Sequence, residues 1–272
     1  MDLLFVLTIL IVIFALAFDF INGFHDTANA IATSVSTKAL KPRHAIIMAA
    51  VMNFAGAMTF TGVAKTITSD IADPFKLENG SVVILAALIA GITWNLVTWY
   101  FGIPSSSSHA IIGAIAGAVI ASEGFAAIKY HGFIKIIEAL ILSPILAFVL
   151  GYLIYSIVKV IFKNSNLAKT NKRFRRVQIA TAAIQSYTHG TNDAQKAMGI
   201  ITMALIAGNL HSTTDIPFWV QFACAMAMGL GTSVGGWKII KTVGGKIMKI
   251  RPVNGVSADL TGALIIFGAT IV

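Results

Sequence analysis

The sequence predicts an all-α membrane protein, a polytopic bundle whose two halves cross the membrane in opposite senses. Hydrophobic residues make up 57% of the 272 residues, charged residues only 11%, and the mean hydropathy is +0.83. A soluble domain carries about a quarter charged residues, so this composition excludes an ordinary soluble domain. The apolar runs also reach the length of a membrane crossing, roughly 20 residues.

The apolar stretches predict the order of the helices. The candidate spans are residues 3–37, 44–67, 81–102, 105–122, 131–162, 177–208, 217–237 and 255–272. The first is too long for one straight crossing and contains polar residues. A break is expected near residues 189–193. The three spans within residues 81–162 form a helix, a re-entrant serine-rich hairpin and a second helix.

The positive charge is concentrated between the spans. Fourteen of the 20 Lys and Arg lie in residues 38–43, 163–176 and 238–251, and they account for most of the net charge of +9. Short basic loops favour the cytoplasmic side of a membrane. We therefore expect a multi-pass protein of the cell membrane with its N-terminus outside, in contact with lipid and not with nucleic acid.

The two halves resemble each other in sequence. Residues 23–30 (GFHDTANA) align with residues 190–197 (GTNDAQKA) at an offset of 167 residues. Opposed topology and a shared motif are typical of an inverted repeat. We divide the chain into a first repeat (1–162), a basic cytoplasmic linker (163–176) and a second repeat (177–272), which is expected to be C-terminally truncated because no second serine-rich hairpin follows.

Two aspartates lie inside apolar sequence, Asp26 and Asp193. A carboxylate at membrane depth is costly and usually faces a cavity, a partner or an ion, although a protonated or ion-paired Asp is the structural alternative. Gly23 and Gly190 precede them and permit helix breaks. Further polar residues surround the two aspartates: Asn22, His25, Thr27, Asn29, His189, Thr191, Asn192, Gln195 and Lys196.

These side chains predict an ion site without selecting the ion. Oxygen ligands suit a hard cation such as sodium, whereas His25 and His189 suit proton transfer because imidazole titrates near neutrality. Neither histidine stands at metal-site spacing from a cysteine, so no bound metal and no cofactor is expected. Each histidine alone could equally be a packing residue.

The serine run at residues 105–108 predicts an anion site. Pro104 suits the first turn of a helix, and short hydroxyl side chains cap the amides exposed there. Four serines exceed what one cap needs, and a helix N-terminus inside the membrane attracts an oxyanion. Capping alone is the simpler alternative.

These motifs together resemble the inorganic phosphate transporter (PiT) family, in the form of the bacterial low-affinity phosphate permeases. The resemblance rests on residues 22–30 (NGFHDTANA), 188–196 (THGTNDAQK) and 104–109 (PSSSSH). It implies phosphate entry coupled to protons or sodium. Many members have Asn where this chain has His25 and Lys196, which favours the proton.

The expected function is therefore secondary active symport of inorganic phosphate. The residues assigned to substrate are Ser105, Ser106, Ser107, Ser108, Asn29, Asn192, Gln195 and Lys196. The residues assigned to ion coupling are Asp26, Asp193, His25, Asn22, Thr27 and Thr191. The alternatives are a sulfate or other oxyanion permease, a passive channel and an intramembrane hydrolase using Ser108 with His109. A homo-oligomer and a divalent metal carried with the phosphate remain open.

Overall fold

The computed structural model describes residues 2–61, 77, 79–247 and 249–271, and every regular element in this part is helical. The helices, in chain order, are α1 (Leu3–Ser36), α2 (Pro42–Ala57), α3 (Gly80–Phe101), α4 (Ser107–Glu123), α5 (Tyr130–Ile161), α6 (Leu167–Ala207), α7 (Phe218–Val234), α8 (Trp237–Lys241) and α9 (Pro252–Ile271). A 3-10 turn (Phe125–Ala127) precedes α5, and a π-helical segment (Thr242–Lys246) follows α8.

Local sequence sets where the long helices begin. The Asp2 carboxylate accepts a hydrogen bond from the Leu4 amide at 3.3 Å, which caps α1. Asn166 caps α6 by accepting from the amides of Ala168 and Lys169. Pro42 occupies the first turn of α2, where its missing N–H costs nothing. In the described residues, α1, α3 and α5 are long and apolar enough to cross a membrane. The bent pair of α7 with residues 237–246 has the length and composition of either a broken span or a re-entrant loop.

The expected breaks at the two glycines are wrong, because α1 runs unbroken over 34 residues and α6 over 41. Glycine permits a break but does not require one, and within a helix it costs only about 1 kcal/mol relative to Ala. The break occurs instead between α7 and α8, which are bent by 56°. Gly235 provides it with a φ of +73°, a value that favours glycine.

Gly23 and Gly190 instead allow close helix packing. A Cβ on Gly23 would overlap the Met228 carbonyl oxygen of α7, and one on Gly190 would overlap the Asn53 carbonyl oxygen of α2. The partner helices, α7 and α2, in turn present glycines to carbonyls of α1 and α6. Gly231 of α7 meets the Phe20 carbonyl of α1, and Gly56 of α2 meets the Tyr187 carbonyl of α6. The same interlocked helix pair thus occurs twice, as α1 with α7 and as α6 with α2.

The basic stretches converge at one end of the bundle. Thr37 at the end of α1 donates to Gln178 in the first part of α6 at 2.6 Å. Its neighbour Ser36 donates to the Gly244 carbonyl. The described parts of residues 38–43, 163–176 and 238–251 therefore lie near one another.

Several boundaries differ from the prediction. The linker at 163–176 is mostly helical, since α6 begins at Leu167, and the basic stretch at 238–251 includes α8 and the π-helical segment. These stretches carry many charged side chains, which suggested loops. A helix outside lipid nevertheless satisfies its own backbone hydrogen bonds as well as one inside lipid does. Residues 62–67 of the second predicted span lie outside the described residues. The serine-rich turn does connect two helices, because Gly102 (φ +66°) ends α3 and α4 begins at Ser107.

Candidate functional site

A seam of polar side chains runs between α1 and α6, which are antiparallel at the centre of the bundle. Asn22 donates to Asp193 at 3.3 Å, and toward the basic end Thr37 donates to Gln178. Between these contacts, Thr33 of α1 and Thr181 of α6 both donate to Asp259 of α9, at 2.7 and 3.0 Å. The helices α1 and α6, which also bury many hydrophobic side chains, therefore meet along one polar face.

Asp26 lies in this seam and is bonded on both carboxylate oxygens. His25 Nδ1 lies 2.8 Å from Oδ1, and Ser107 Oγ lies 2.7 Å from Oδ2. The same hydroxyl lies 2.7 Å from Asn22 Oδ1. A hydroxyl carries one proton. Ser107 can therefore donate to an ionised Asp26, or accept from a protonated Asp26 while it donates to Asn22.

Thr98 of α3 is the partner of His25 on the other side of the ring. Thr98 Oγ1 lies 2.9 Å from His25 Nε2 and also 2.9 Å from the Trp94 carbonyl oxygen, so its hydroxyl can donate to either of them. A neutral imidazole carries one proton, either on Nδ1, where it faces Asp26, or on Nε2, where it faces Thr98. The imidazole thus joins Asp26 of α1 to Thr98 of α3 through its two ring nitrogens.

Asp193 occupies the equivalent position in α6, with different partners. Lys196 Nζ donates to Oδ1 at 2.8 Å, Asn192 donates to Oδ1 at 3.3 Å, and Asn22 donates to Oδ2. His189 Nε2 lies 3.1 Å from Oδ2 without hydrogen-bond alignment. All of these except Asn192 are buried. Two side-chain amides and one ammonium group thus donate to this carboxylate, and the ammonium group balances its charge.

The two aspartates belong to one compact group. Asp26, His189 and Asp193 each offer a ligand atom, and these atoms lie within 4.8 Å of one another. All three side chains are buried. The geometry is compact enough for a small cation, yet the Lys196 ammonium already supplies positive charge there.

The four serines do not act alike. Ser107 alone is fully buried and reaches Asp26. Ser106 caps α4 by accepting from the His109 amide at 3.4 Å, and Ser105 accepts from Trp94 Nε1 at 3.1 Å. Ser108 is half-buried.

The remaining predicted residues divide into two groups. Thr191 donates to the Thr188 carbonyl, and Gln195 donates to the Thr191 carbonyl, so both side chains are engaged within α6. Asn29 is exposed and stands apart from the buried group. The side chain of Thr27 lies outside the described part of the chain.

The structure adds residues that the sequence interpretation did not single out. Asn53 of α2 donates to Thr232 of α7 at 2.8 Å, and its amide oxygen lies 3.3 Å from His189 Nδ1. Thr98 holds His25, and Asp259 joins three helices at the basic end. Each is a buried polar residue within an apolar run, and that signal was present in the sequence.

Comparison with known proteins gives consistent matches. The model of the phosphate transporter family matches residues 22–272. A probable low-affinity inorganic phosphate transporter of Bacillus subtilis is 85% identical, over 100% of this chain and 82% of that protein. A relative of the same description from Rhizobium meliloti is 46% identical, over 94% of this chain and 77% of that protein.

One solved structure, described as a sodium-dependent phosphate transporter, shares the fold with a TM-score of 0.87. It is 22% identical, and the match covers 98% of this chain and 85% of that one. At this identity the likeness concerns the fold alone.

Proposed function

Since this chain belongs to the phosphate transporter family, we propose that it brings inorganic phosphate into the cell by symport with protons rather than with sodium. It would do so in the cell membrane, with the basic end of the bundle facing the cytoplasm. The relatives are transporters and not enzymes, so the hydrolase alternative is excluded. His109 is exposed, and Ser108 is half-buried.

The observation that carries this proposal is the contact between the His25 imidazole and the Asp26 carboxylate. His25 Nδ1 lies 2.8 Å from Asp26 Oδ1, so a single proton can pass between the two groups. Chains of Asp, Glu and His side chains inside the membrane are the usual proton relays of pumps and transporters. A site of this kind gains and loses a proton without moving a helix.

In this mechanism phosphate binding depends on a proton at Asp26. The N-terminus of α4 provides free amides and partial positive charge, and Ser107 joins it directly to Asp26. An oxyanion bound there would face an ionised Asp26, and two like charges about 4 Å apart repel by about 4 kcal/mol at an effective dielectric constant of 20. A proton on Asp26 removes this repulsion, so phosphate and proton bind together.

The position of Lys196 disfavours a sodium site at Asp193. Its ammonium group lies 2.8 Å from Asp193 Oδ1, where a coupling cation would otherwise find its carboxylate ligand. An ammonium and a sodium ion compete for the same oxygen. Lys196 therefore provides a fixed positive charge at Asp193, and the proton is the cation that binds at Asp26.

Alternating access would use the repeated helix pairs. The bend of 56° between α7 and α8 and the glycine contacts of α1 and α6 allow one pair to rock against the other. A passive channel has no need of this arrangement. Phosphate accumulation against its gradient distinguishes the two mechanisms.

The test is labelled phosphate uptake into proteoliposomes that contain the purified chain. We expect an acid-outside pH gradient to drive accumulation in sodium-free buffer, and a sodium gradient without a pH gradient to drive none. Excess sulfate should not inhibit uptake. Accumulation driven by sodium alone would falsify the proposal, and strong inhibition by sulfate would assign the site to oxyanions in general.

A further inference from the structure

A third buried carboxylate lies outside the group just described. Asp19 of α1 is completely buried, and neither of its carboxylate oxygens has a hydrogen-bond partner with N–H or O–H among the described residues. Its neighbours Ala15 and Phe18 belong to the hydrophobic core. The thiol of Cys224 on α7, which is a weak donor, lies beside it.

Such surroundings hold a carboxylic acid but not a carboxylate. An ionised carboxylate without a hydrogen bond is far more costly to bury than a neutral one, and a proton is the simplest way to remove that cost. Asp259 provides the contrast within the same seam, because two threonine hydroxyls donate to it. We infer that Asp19 carries a proton in this conformation.

Asp19 also lies opposite a movable positive charge. The register of α1 and α6 pairs Thr37 with Gln178 and Asn22 with Asp193, and one turn further it brings Lys196 opposite Asp19. Lys196 and Asp193 are the other charged groups near Asp19. The flexible Lys196 side chain therefore has two carboxylates near it. Asp193 lies within one turn on the same helix, α6, and Asp19 lies opposite on α1.

We propose that Asp19 is a second proton-carrying site of the transport cycle, which exchanges its proton for the Lys196 ammonium. In this step Lys196 leaves Asp193 and pairs with Asp19, while the Asp19 proton passes to Asp193. One carboxylate remains ionised throughout, and the net charge of the three groups is unchanged. The step delivers a proton beside Asn22 and the central group, and it rests on the proposed proton symport.

The exchange explains why the acid is placed here. Asp19 lies seven residues, about two helical turns, before Asp26 on α1, on the side away from the basic end. Beyond it the contacts of α1 are with the hydrophobic core, in which Ile11 and Ala15 are fully buried. The protonated Asp19 therefore lies at the boundary between the polar seam and the hydrophobic core.

The experiment compares two activities of the Asp19→Asn variant in proteoliposomes. We expect the phosphate accumulation ratio reached under a gradient of one pH unit to fall about tenfold, because each coupled proton contributes a factor of ten at that gradient. Exchange of labelled for unlabelled phosphate at equal pH should stay within about twofold of the parent, because it needs no net proton transfer. Equal loss of both activities, or no loss of either, overturns the proposal.

Infrared spectroscopy gives a second, independent measurement. The carbonyl stretch of a protonated carboxylic acid should lose one component in Asp19→Asn and keep it in Asp2→Asn, which alters an exposed carboxylate. An unchanged spectrum in Asp19→Asn shows that Asp19 carries no proton and overturns the proposal. If Asp19→Asn fails to fold, Asp19→Glu, which keeps the acid, should restore both folding and uptake.

The two proposals fail in distinguishable ways. If sodium rather than the pH gradient drives the unaltered chain, the proton symport is wrong, and the infrared component still reports whether Asp19 is protonated. If the pH gradient drives uptake equally well in Asp19→Asn, the symport stands and the role of Asp19 is wrong.

Discussion

Asp26 and Asp193 occupy the same position in the two repeated motifs, 167 residues apart, yet their surroundings differ in charge. Asp26 contacts a histidine that precedes it in the chain and a serine from another element, α4. Asp193 contacts an ammonium and an amide from its own helix, those of Lys196 and Asn192. Both side chains are buried, so burial alone does not separate them.

The difference shows how an inverted repeat produces two unlike sites from one motif. A carboxylate beside a lysine has its counter-charge fixed by the chain. A carboxylate beside an imidazole and a hydroxyl has neighbours that tolerate both its ionised and its protonated forms. The first half thus provides a carboxylate without a fixed counter-charge, and the second half provides a carboxylate whose counter-charge is supplied by Lys196.

The largest expected effect separates the two aspartates by stability. Asp193→Asn leaves the buried Lys196 ammonium without its carboxylate, and removing one partner of a buried ion pair costs about 3 to 5 kcal/mol. Asp26→Asn leaves no fixed positive charge unpaired. We expect a strongly lowered thermal unfolding midpoint in detergent for Asp193→Asn only, whereas Asp26→Asn should abolish uptake.

The double variant Asp193→Asn/Lys196→Met is the control for this prediction. It removes both charges, so most of the lost stability should return. Similar midpoints for Asp26→Asn and Asp193→Asn would show that the two carboxylates are in equivalent surroundings after all.

A smaller effect tests whether the two halves are mechanically alike. Gly23→Ala and Gly190→Ala each place a Cβ against a backbone carbonyl of the neighbouring helix, and overpacking of this kind costs about 1 to 3 kcal/mol. Gly113→Ala is the matched control, since a Cβ on Gly113 meets nothing within 4 Å. Size-exclusion profiles after heating should show similar losses for the first two variants and none for the third. A loss in only one of them would show that the repeated contacts are not equivalent.

The sequence predicted the long apolar helices closely. The spans 81–102 and 131–162 correspond to α3 and α5 within one residue at each end. Their apolar runs end at turn-forming residues, such as Gly102, which takes a left-handed conformation. Helix ends in polar sequence were harder to place, because a helix of charged residues satisfies its backbone as well as a loop does.

The candidate site was predicted in part. The polar residues around Asp26 and Asp193 stood out because charge is rare in apolar sequence, and Asp19 and Asp259 carry the same signal. The helical breaks were wrong, since a glycine allows both a break and a close contact, and only the neighbouring carbonyl distinguishes them. Which serine faces Asp26 depends on how α4 sits against α1, and residue spacing does not contain that information.

The smallest expected effect concerns that serine. Ser107→Ala removes a hydroxyl that lies 2.7 Å from both Asp26 and Asn22, and loss of a hydrogen bond to a charged group costs about 1.5 kcal/mol, or about tenfold in uptake rate. Ser105→Ala removes only an acceptor for Trp94 Nε1 at the rim of the bundle, so its rate should change little. Initial rates of phosphate uptake at low substrate concentration compare the two variants. Equal rates would mean that the hydroxyl beside Asp26 plays no part in the coupling between phosphate and proton.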